Sequence, residues 1–172
     1  MRHRSIQILL FLLAIVVTGY LIPDKTVIPV QAASKKDWNR SSFWFEPWGQ
    51  SGVHKGIDIF AKQGQPVIAA SSGIVIYQGQ LGIGGNVIAI LGPKWRIHYY
   101  AHLAEPTAAP WFVASGERIG SVGTSGNAAG KAPHLHYAIL SVIPLPWRYS
   151  QATQGWRQIY YLNPDEVLAG GS

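Results

Sequence analysis

Two histidines separated by a single leucine, His134 and His136, stand in the apolar stretch APHLHYAI that covers residues 132–139. If this stretch is a strand, residues two apart point to the same face, so both imidazoles share one side of a sheet. Placing two imidazoles in a hydrophobic core costs free energy unless hydrogen bonds satisfy both rings. The pair is therefore either a buried structural element or part of a metal or catalytic site, and the motif alone leaves both interpretations open.

A second motif lies earlier in the chain, where VHKGIDIF places His54 and Asp58 four residues apart. Gly52 and Gly56 surround His54, which indicates a loop entering a strand, and this spacing alone is weak evidence for a metal site. The chain has no cysteine, so any bound metal must be held by imidazole and carboxylate groups. The two motifs together supply the donors that zinc accepts. A catalytic zinc takes three protein ligands, so one of the four candidates would remain for chemistry.

A third motif, RIHYYAHL, contains His98 and His102. Strict alternation along a strand predicts that both side chains lie on one face, separated by about 13 Å. At that distance the two rings cannot reach one metal ion unless the strand is interrupted. The residues alone therefore do not decide which of the two belongs with the other histidines.

The elements that must position these residues are short strands. The segments PVIAA, GIVIYQG, GNVIAILG, RIHYYAHL, ERIGSVG and HLHYAILSVI are rich in Val, Ile and Tyr and are separated by Gly, Pro, Ser and Asn. One short helix is predicted in NPDEVLAG, where Asn163 caps and Pro164 occupies the first helical position. With 48% hydrophobic residues, 19 Gly and 11 Pro among 172 residues, the sequence predicts one mainly β domain over residues 41–170 and excludes a disordered chain.

The N-terminal segment predicts export from the cytoplasm. Two arginines precede an uncharged, apolar run over residues 5–22, which as a helix is about 27 Å long and just spans the hydrocarbon core of a membrane. Basic residues in front of the run keep the N-terminus cytoplasmic and send the rest of the chain outward. We interpret residues 1–33 as a signal peptide, cut after Ala32 or Ala33, or as a membrane anchor, and residues 34–40 as a linker. Either alternative makes the domain extracytoplasmic.

The formal net charge of +6 suits an anionic polymer as a partner, such as nucleic acid or cell wall. The chain contains no run of Lys and Arg of the kind found in nucleic-acid-binding segments, so nucleic acid is not expected as a partner. Contact with a membrane is expected only through the N-terminal segment. The charge by itself does not choose between these polymers.

These motifs, in the order in which they occur, resemble those of the lysostaphin-type (LytM-like) zinc metallopeptidases, which cut peptide cross-links in bacterial peptidoglycan. The block HKGIDIFAKQGQPVIAASSGIVIYQG is similar to the family's first motif, GGNVIAI to its Gly-Asn strand, and YYAHL to its Tyr-x-His-Leu motif. The stretch GERIGSVGTSGNAAGKAPHLHYAI is similar to the closing Gly-rich segment, and YLNPDEVL to the Asn-Pro segment that ends the domain. The resemblance covers residues 41–168.

The resemblance implies a fold, a cofactor and a role for each histidine. The fold would be a single antiparallel β-sheet or β-sandwich of the lysostaphin/LytM type, a duplicated hybrid motif. One zinc ion would be held by three ligands: His54, Asp58 and His136. His102 and His134 would be the catalytic histidines, and His98 would be structural, because only His102 stands in the Tyr-x-His-Leu context.

The implied activity is zinc-dependent hydrolysis of a peptide bond in the cell wall, with peptidoglycan peptide stems or cross-links as the substrate. One of the two catalytic histidines would take the proton of the attacking water, and the other would stabilise the oxyanion. The alternative is a non-catalytic peptidoglycan-binding or hydrolase-activating module, which would predict missing or misplaced ligands. The complete ligand set in this chain argues against that alternative.

Overall fold

The computed structural model describes residues 2–105 and 108–170, so Met1 of the predicted N-terminal segment lies outside the described residues. Within the described residues there are two α-helices and nine strands, joined by turns and short 3₁₀ segments. They are α1 (Arg2–Leu21), β1 (Ile57–Phe60), β2 (Pro66–Ile68), β3 (Gly73–Gln80), β4 (Asn86–Gly92), β5 (Arg96–Leu103), β6 (Phe112–Val113), β7 (Arg118–Ser121), β8 (His134–Ser141), β9 (Tyr161–Leu162) and α2 (Pro164–Gly170).

The strands form two antiparallel sheets. The larger has seven strands in the described residues, in the order β1-β8-β5-β4-β3-β6, with β9 also pairing with β8. The smaller pairs β2 with β7. The predicted mainly antiparallel β domain with an apolar N-terminal helix is confirmed. So is the short helix after Asn163, whose side-chain oxygen accepts a hydrogen bond from the Asp165 amide at 3.1 Å.

The hydrophobic core lies between the inner face of the large sheet and the small sheet. Ile59, Tyr100 and Leu135 come from the large sheet, Val67 and Ile119 come from the small one, and all five are buried. These residues occupy alternate positions in their strands, and alternate residues of a strand point to the same face of the sheet, here the face toward the core. Each large apolar side chain that is fully buried contributes about 1.5–3 kcal/mol.

The opposite face of the large sheet carries the polar residues of the same strands. Asp58 is directly opposite His136 in the β1–β8 pair, and Ala101 is opposite His136 in the β5–β8 pair. Residues that face each other across antiparallel strands share a side of the sheet. Packing of the core against one face of the large sheet therefore fixes the backbones of β1, β8 and β5, and the polar side chains of these strands lie on the other face.

Helix α1 is the one helix among the described residues that is long and apolar enough to cross a membrane, with a span from His3 to Leu21. Most of its side chains are exposed. It contacts the domain at Trp95, whose indole N–H donates to the Val16 carbonyl at 3.0 Å. The apolar run is therefore a helix, and the choice between a signal peptide and an anchor stays a prediction.

The chain that follows α1 packs against the domain. Val30 is buried and forms a bridge with Val67 of β2. Trp38, within the stretch interpreted as a linker, is 5% exposed and donates its indole N–H to Asp165 at 3.0 Å. A free linker would not make these contacts. The sequence pattern does not reveal them because the partners are distant along the chain, and the boundary at residue 41 stays a prediction.

Candidate metal centre

Three donor side chains converge on the polar face of the large sheet. The Nε2 atom of His54 lies 3.0 Å from Asp58 Oδ1 and 3.1 Å from His136 Nδ1, and His136 Nδ1 lies 2.8 Å from the same carboxylate oxygen. The three groups form a cluster whose donor atoms all lie within 4.8 Å of one another. The structure thus brings together His54, Asp58 and His136, the three residues that the family resemblance implies as ligands, and their role stays a prediction.

The β1–β8 register and one loop create this convergence. Asp58 and His136 are cross-strand partners, so their side chains meet without any adjustment of the sheet. His54 lies in the loop before β1, where its backbone pairs with Trp44 and Phe45 at 2.7 Å and 3.0 Å. That pairing holds the imidazole over the end of the two strands.

The donor set fits a zinc ion. His54 Nε2 and His136 Nδ1 face each other at 3.1 Å, so two lone-pair positions and a carboxylate oxygen point into the same space. In a tetrahedral site with zinc–nitrogen distances of about 2.0–2.1 Å, neighbouring donor atoms are about 3.3 Å apart. The spacing of 2.8–3.1 Å among the three atoms is close to that value. Two histidines and one carboxylate would leave a fourth position for water or substrate.

His102 and His134 lie beside the three donors. Their ring centroids are 5.1 Å apart, and the His102 ring lies 6.0 Å from the His136 ring. His102 Nδ1 donates to the Ser125 carbonyl at 2.9 Å, and His134 Nδ1 donates to the Ala132 carbonyl at 2.8 Å. A carbonyl can only accept, so Nδ1 carries the proton in both rings and Nε2 is left for the site.

The prediction that His98 and His102 share one face of their strand is wrong. His102 lines the cavity above the donors, on the same side as Ala101, its neighbour in the strand. The reason is local: His102 has φ +64°, a left-handed conformation, and the β4–β5 register shifts between Asn86 and Ile88. This irregularity re-aims the side chain, as β-bulges next to active sites commonly do.

His98 keeps the regular alternation and points into the core. It is fully buried, its Nδ1 lies 2.7 Å from the Tyr137 hydroxyl, and the two rings are stacked. Burial lowers the pKa of His98 to about 4, opposed by the charge of Asp24 and aided by that of Arg96. The structure thus separates the two histidines of RIHYYAHL, with one on the site face and the other in the core.

The electrostatics of the centre favour ligands in their metal-binding form. Burial alone would raise the pKa of the Asp58 carboxyl, but hydrogen bonds from His136 and His54 outweigh it and hold that pKa well below its usual range. Burial lowers the pKa of His136, and it lowers the pKa of His102 to about 4, together with the charges of His136 and His134. Asp58 is therefore ionised and the His136 and His102 rings are neutral at about pH 7.

A cavity of about 570 Å³ opens over the centre. Aromatic rings from three separate segments line it: Trp48, Tyr99 and Tyr161. Trp48 also stacks on the imidazole of His54, with ring centroids 4.0 Å apart and an interplanar angle of 21°. Two lysines, Lys55 and Lys131, complete the polar part of the wall. Tyr161 and Lys131 were not expected at the site, although both lie in segments quoted for the resemblance, because their approach to the donors depends on partners far away in the chain.

Comparison with known proteins places these residues in a family context. The model of Peptidase family M23 matches residues 52–144, which is more than half of the chain and contains all three donors and both neighbouring histidines. The chain is 41% identical over 85 residues to the DD-carboxypeptidase/endopeptidase Mpg of Neisseria meningitidis, which is 49% of this chain and 19% of that protein. It is 38% identical over 115 residues to the L-Ala--D-Glu endopeptidase of Bacillus subtilis, which is 61% of this chain and 35% of that protein. The chain thus matches well under two thirds of each relative's length.

Solved structures agree with the fold. The catalytic domain of the antimicrobial peptidase lysostaphin from Staphylococcus simulans superposes with a TM-score of 0.58 and 28% identity, over 72% of this chain and 86% of that domain. A zinc containing peptidase from Vibrio cholerae superposes with a TM-score of 0.53 and 24% identity, over 67% of this chain and 37% of that protein. The second likeness is a likeness of fold alone.

Proposed function

The chain belongs to peptidase family M23, and from that premise we propose that it is a zinc-dependent endopeptidase that hydrolyses peptide bonds in bacterial cell-wall peptidoglycan. The observation that carries the proposal is the complete donor set of His54, Asp58 and His136, with two further histidines turned toward it. A binding module needs no such set. The names of the relatives, which include an endopeptidase and a carboxypeptidase, are consistent with this activity.

In this proposal His54, Asp58 and His136 hold one zinc ion. When bound, zinc supplies Lewis acidity, which activates water at about neutral pH and polarises the scissile carbonyl. The chain supplies the geometry. The backbone carbonyl of Ser42 accepts a hydrogen bond from His54 Nδ1–H at 3.0 Å, which leaves Nε2 as the atom that would bind the metal. The Trp48 ring covers the other side of the same imidazole.

His102 and His134 act as the catalytic pair. Each has its Nδ1 proton bound to a backbone carbonyl, so its Nε2 accepts a proton when the ring is neutral and donates a hydrogen bond once the ring is protonated. The pair therefore offers one acceptor for the proton of the attacking water and one donor for the developing oxyanion. Losing either contribution typically reduces the rate about 10²–10⁴-fold.

The proposed place of action is outside the cytoplasmic membrane, where peptidoglycan lies. Residues 1–33 act as a signal peptide or as a membrane anchor, through the helix Arg2–Leu21. The basic net charge of +6 suits the anionic polymers of a cell wall.

The test is zinc content and release of peptide products from purified peptidoglycan, with and without a chelator. We expect His54→Ala and His136→Ala to lose zinc and activity, and His102→Ala and His134→Ala to keep zinc and lose nearly all activity. His98→Gln is the matched control, because His98 lies in the same strand as His102 but faces the core. We expect this variant to keep both its zinc and its activity. A chain with full zinc that releases no product from any peptidoglycan type would instead indicate a non-catalytic peptidoglycan-binding or hydrolase-activating module.

A further inference from the structure

The charged groups that line the cavity are not balanced. Its charged lining residues are Lys55, Lys131 and Asp58. The Asp58 carboxylate is already engaged by His54 and His136, at 3.0 Å and 2.8 Å. The charges left to meet a substrate are therefore both positive, and they stand at opposite ends of the β1–β8 pair: Lys55 follows His54 in the loop before β1, whereas Lys131 lies in the loop before β8.

Lys55 belongs to a larger basic group that extends beyond the cavity lining. Its Nζ donates to the Ser51 carbonyl at 3.0 Å, and the Gln154 side-chain amide donates to that carbonyl at 2.9 Å. The other end of the same Gln154 amide accepts from the Arg157 guanidinium at 3.3 Å. The guanidinium also lies over the ring of Trp156, 5.0 Å from its centroid. One carbonyl and one amide thus link Lys55, which lines the cavity, to Arg157, which is exposed outside the lining.

These cations have no anionic partner in the described part of the chain. The ion pairs found there engage Arg40, Arg96 and Arg148, and none includes Lys55, Lys131 or Arg157. Two cations tied together without a carboxylate between them repel each other, and an anionic ligand would relieve that repulsion. Lys55 lines the same cavity as His54, Asp58 and His136, so an anion bound to it lies in the space that the metal centre faces.

We propose that Lys55 and Arg157 form a carboxylate-binding subsite beside the metal centre, and that the substrate is consequently an acidic stem peptide with a free carboxylate next to the scissile bond. The inference rests on the proposed function and narrows it. An uncharged bridge made of glycine would leave both cations unpaired in the complex. A free carboxylate accepts charge-assisted hydrogen bonds from an ammonium and a guanidinium, which are roughly twice as strong as neutral ones.

The experiment compares two preparations of the same peptidoglycan peptides, one with free carboxylates and one with those carboxylates converted to amides. We expect the zinc-loaded protein to cleave the free-acid peptides with a kcat/KM at least about tenfold higher. Lys55→Gln and Arg157→Gln should remove that preference while zinc content is unchanged. Lys62→Gln, which makes the same charge change at a lysine that neither lines the cavity nor belongs to the Lys55–Arg157 group, is the matched control and should retain the preference.

A second measurement separates this inference from the proposed function. Binding of both preparations to the zinc-loaded His102→Ala variant, followed by calorimetry, reports on the subsite without any hydrolysis. Tighter binding of the free acids that disappears in the His102→Ala, Lys55→Gln double variant supports the subsite even if no peptide is cleaved. Cleavage of both preparations at equal rates, or a preference that depends on Lys131 and not on Lys55, overturns the subsite and leaves the endopeptidase intact.

Discussion

Three of the four histidines around the centre are oriented by the same kind of hydrogen bond. The Nδ1 atoms of His54, His102 and His134 each donate to a backbone carbonyl, of Ser42, Ser125 and Ala132 respectively, at 2.8–3.0 Å. A carbonyl accepts and never donates, so each bond selects one tautomer and aims Nε2 at the centre. His136 differs, because its Nδ1 is the atom that meets Asp58. The backbone therefore decides which nitrogen of each ring is available.

The Trp48 ring that stacks on His54 leads to a prediction about metal affinity. The stacked rings, 4.0 Å apart, restrict rotation of the imidazole, so that less freedom is lost when a metal binds. We expect Trp48→Leu to weaken zinc binding about tenfold and Trp48→Phe to retain most of it, because a phenyl ring can still stack. Competition with a chromophoric zinc chelator measures the effect. Equal zinc affinities for the leucine and phenylalanine variants would mean that the stacking has no such role.

His98 leads to a prediction about acid stability. Its folded-state pKa of about 4 lies below the value of about 6.5 expected for an unfolded chain, so the unfolded state takes up a proton first as the pH falls. The stability that His98 contributes as a neutral ring is present above about pH 6.5 and is lost as the pH falls toward about 4, by an amount on the order of 3 kcal/mol.

The check for His98 is denaturant unfolding at about pH 7 and about pH 4.5, carried out on the metal-free protein and on His98→Gln. As the pH is lowered from about 7 to about 4.5, the free energy of unfolding should fall more in the unaltered protein than in His98→Gln, because glutamine does not titrate. Parallel losses in the two proteins would assign the acid sensitivity to other groups.

At the scale of elements, two loops pack closely against each other next to His102. Gly85 and Gly126, both at positive φ, approach so closely that a Cβ on either would collide with the backbone of the other loop. The amide of Asn86 donates to Ser125 Oγ at 2.9 Å, and the Ser125 carbonyl holds His102. The orientation of His102 therefore depends on the contact between the loop before β4 and the loop after β7.

Gly126→Ala should disturb this contact. We expect peptide hydrolysis to fall at least about tenfold with zinc content unchanged, because the displaced loop moves the carbonyl that orients His102 while the three metal donors stay in place. Gly116→Ala is the matched control: Gly116 also has positive φ, but a Cβ there meets no atom within 4 Å. That variant should lose about 1–2 kcal/mol of stability from backbone strain and keep its activity. Similar activity losses in both variants would show that strain alone, and not the contact between the two loops, is responsible.

At the scale of the whole molecule, little free chain separates α1 from the domain. The helix ends at Leu21, and Asp24 is already buried, where it accepts from Ser71 at 2.6 Å and pairs with Arg96 at 3.2 Å. Val30 then bridges to Val67. Residues 24–31 therefore contribute to the core and to an ion pair with a buried carboxylate, although they lie in the segment interpreted as a signal peptide or membrane anchor.

This integration predicts different consequences for two truncations. A chain that begins at residue 23 keeps these contacts, whereas a chain that begins at residue 34 exposes the partners of Val30 and leaves Arg96 without Asp24. We expect the shorter chain to be less stable by at least about 3 kcal/mol in denaturant unfolding. A cut after Ala32 or Ala33 would incur the same loss, so we expect α1 to be retained and the native protein to fractionate with membranes. Terminal sequencing that finds a folded, native protein beginning near Ser34, or equal stability of the two truncated chains, would contradict this expectation.

The sequence by itself determined the types of element and the chemistry of the donors. Strand periodicity and turn residues are local properties, so the core-facing residues and most strands follow from the printed letters. The chemistry of the candidate donors follows as well: in a chain without cysteine, HLH and His-x-x-x-Asp limit any metal site to imidazole and carboxylate groups.

Only the tertiary structure decided how these parts meet. Asp58 and His136 become neighbours through the β1–β8 register, and His102 turns to the site face through a backbone irregularity that alternation cannot reveal. The packing of residues 24–31 and the approach of Arg157 to Lys55 likewise depend on partners far away in the chain. A residue's type and spacing fix its local preference, but which distant groups it contacts is set by the pairing of strands and by the loops that the shared core holds in place.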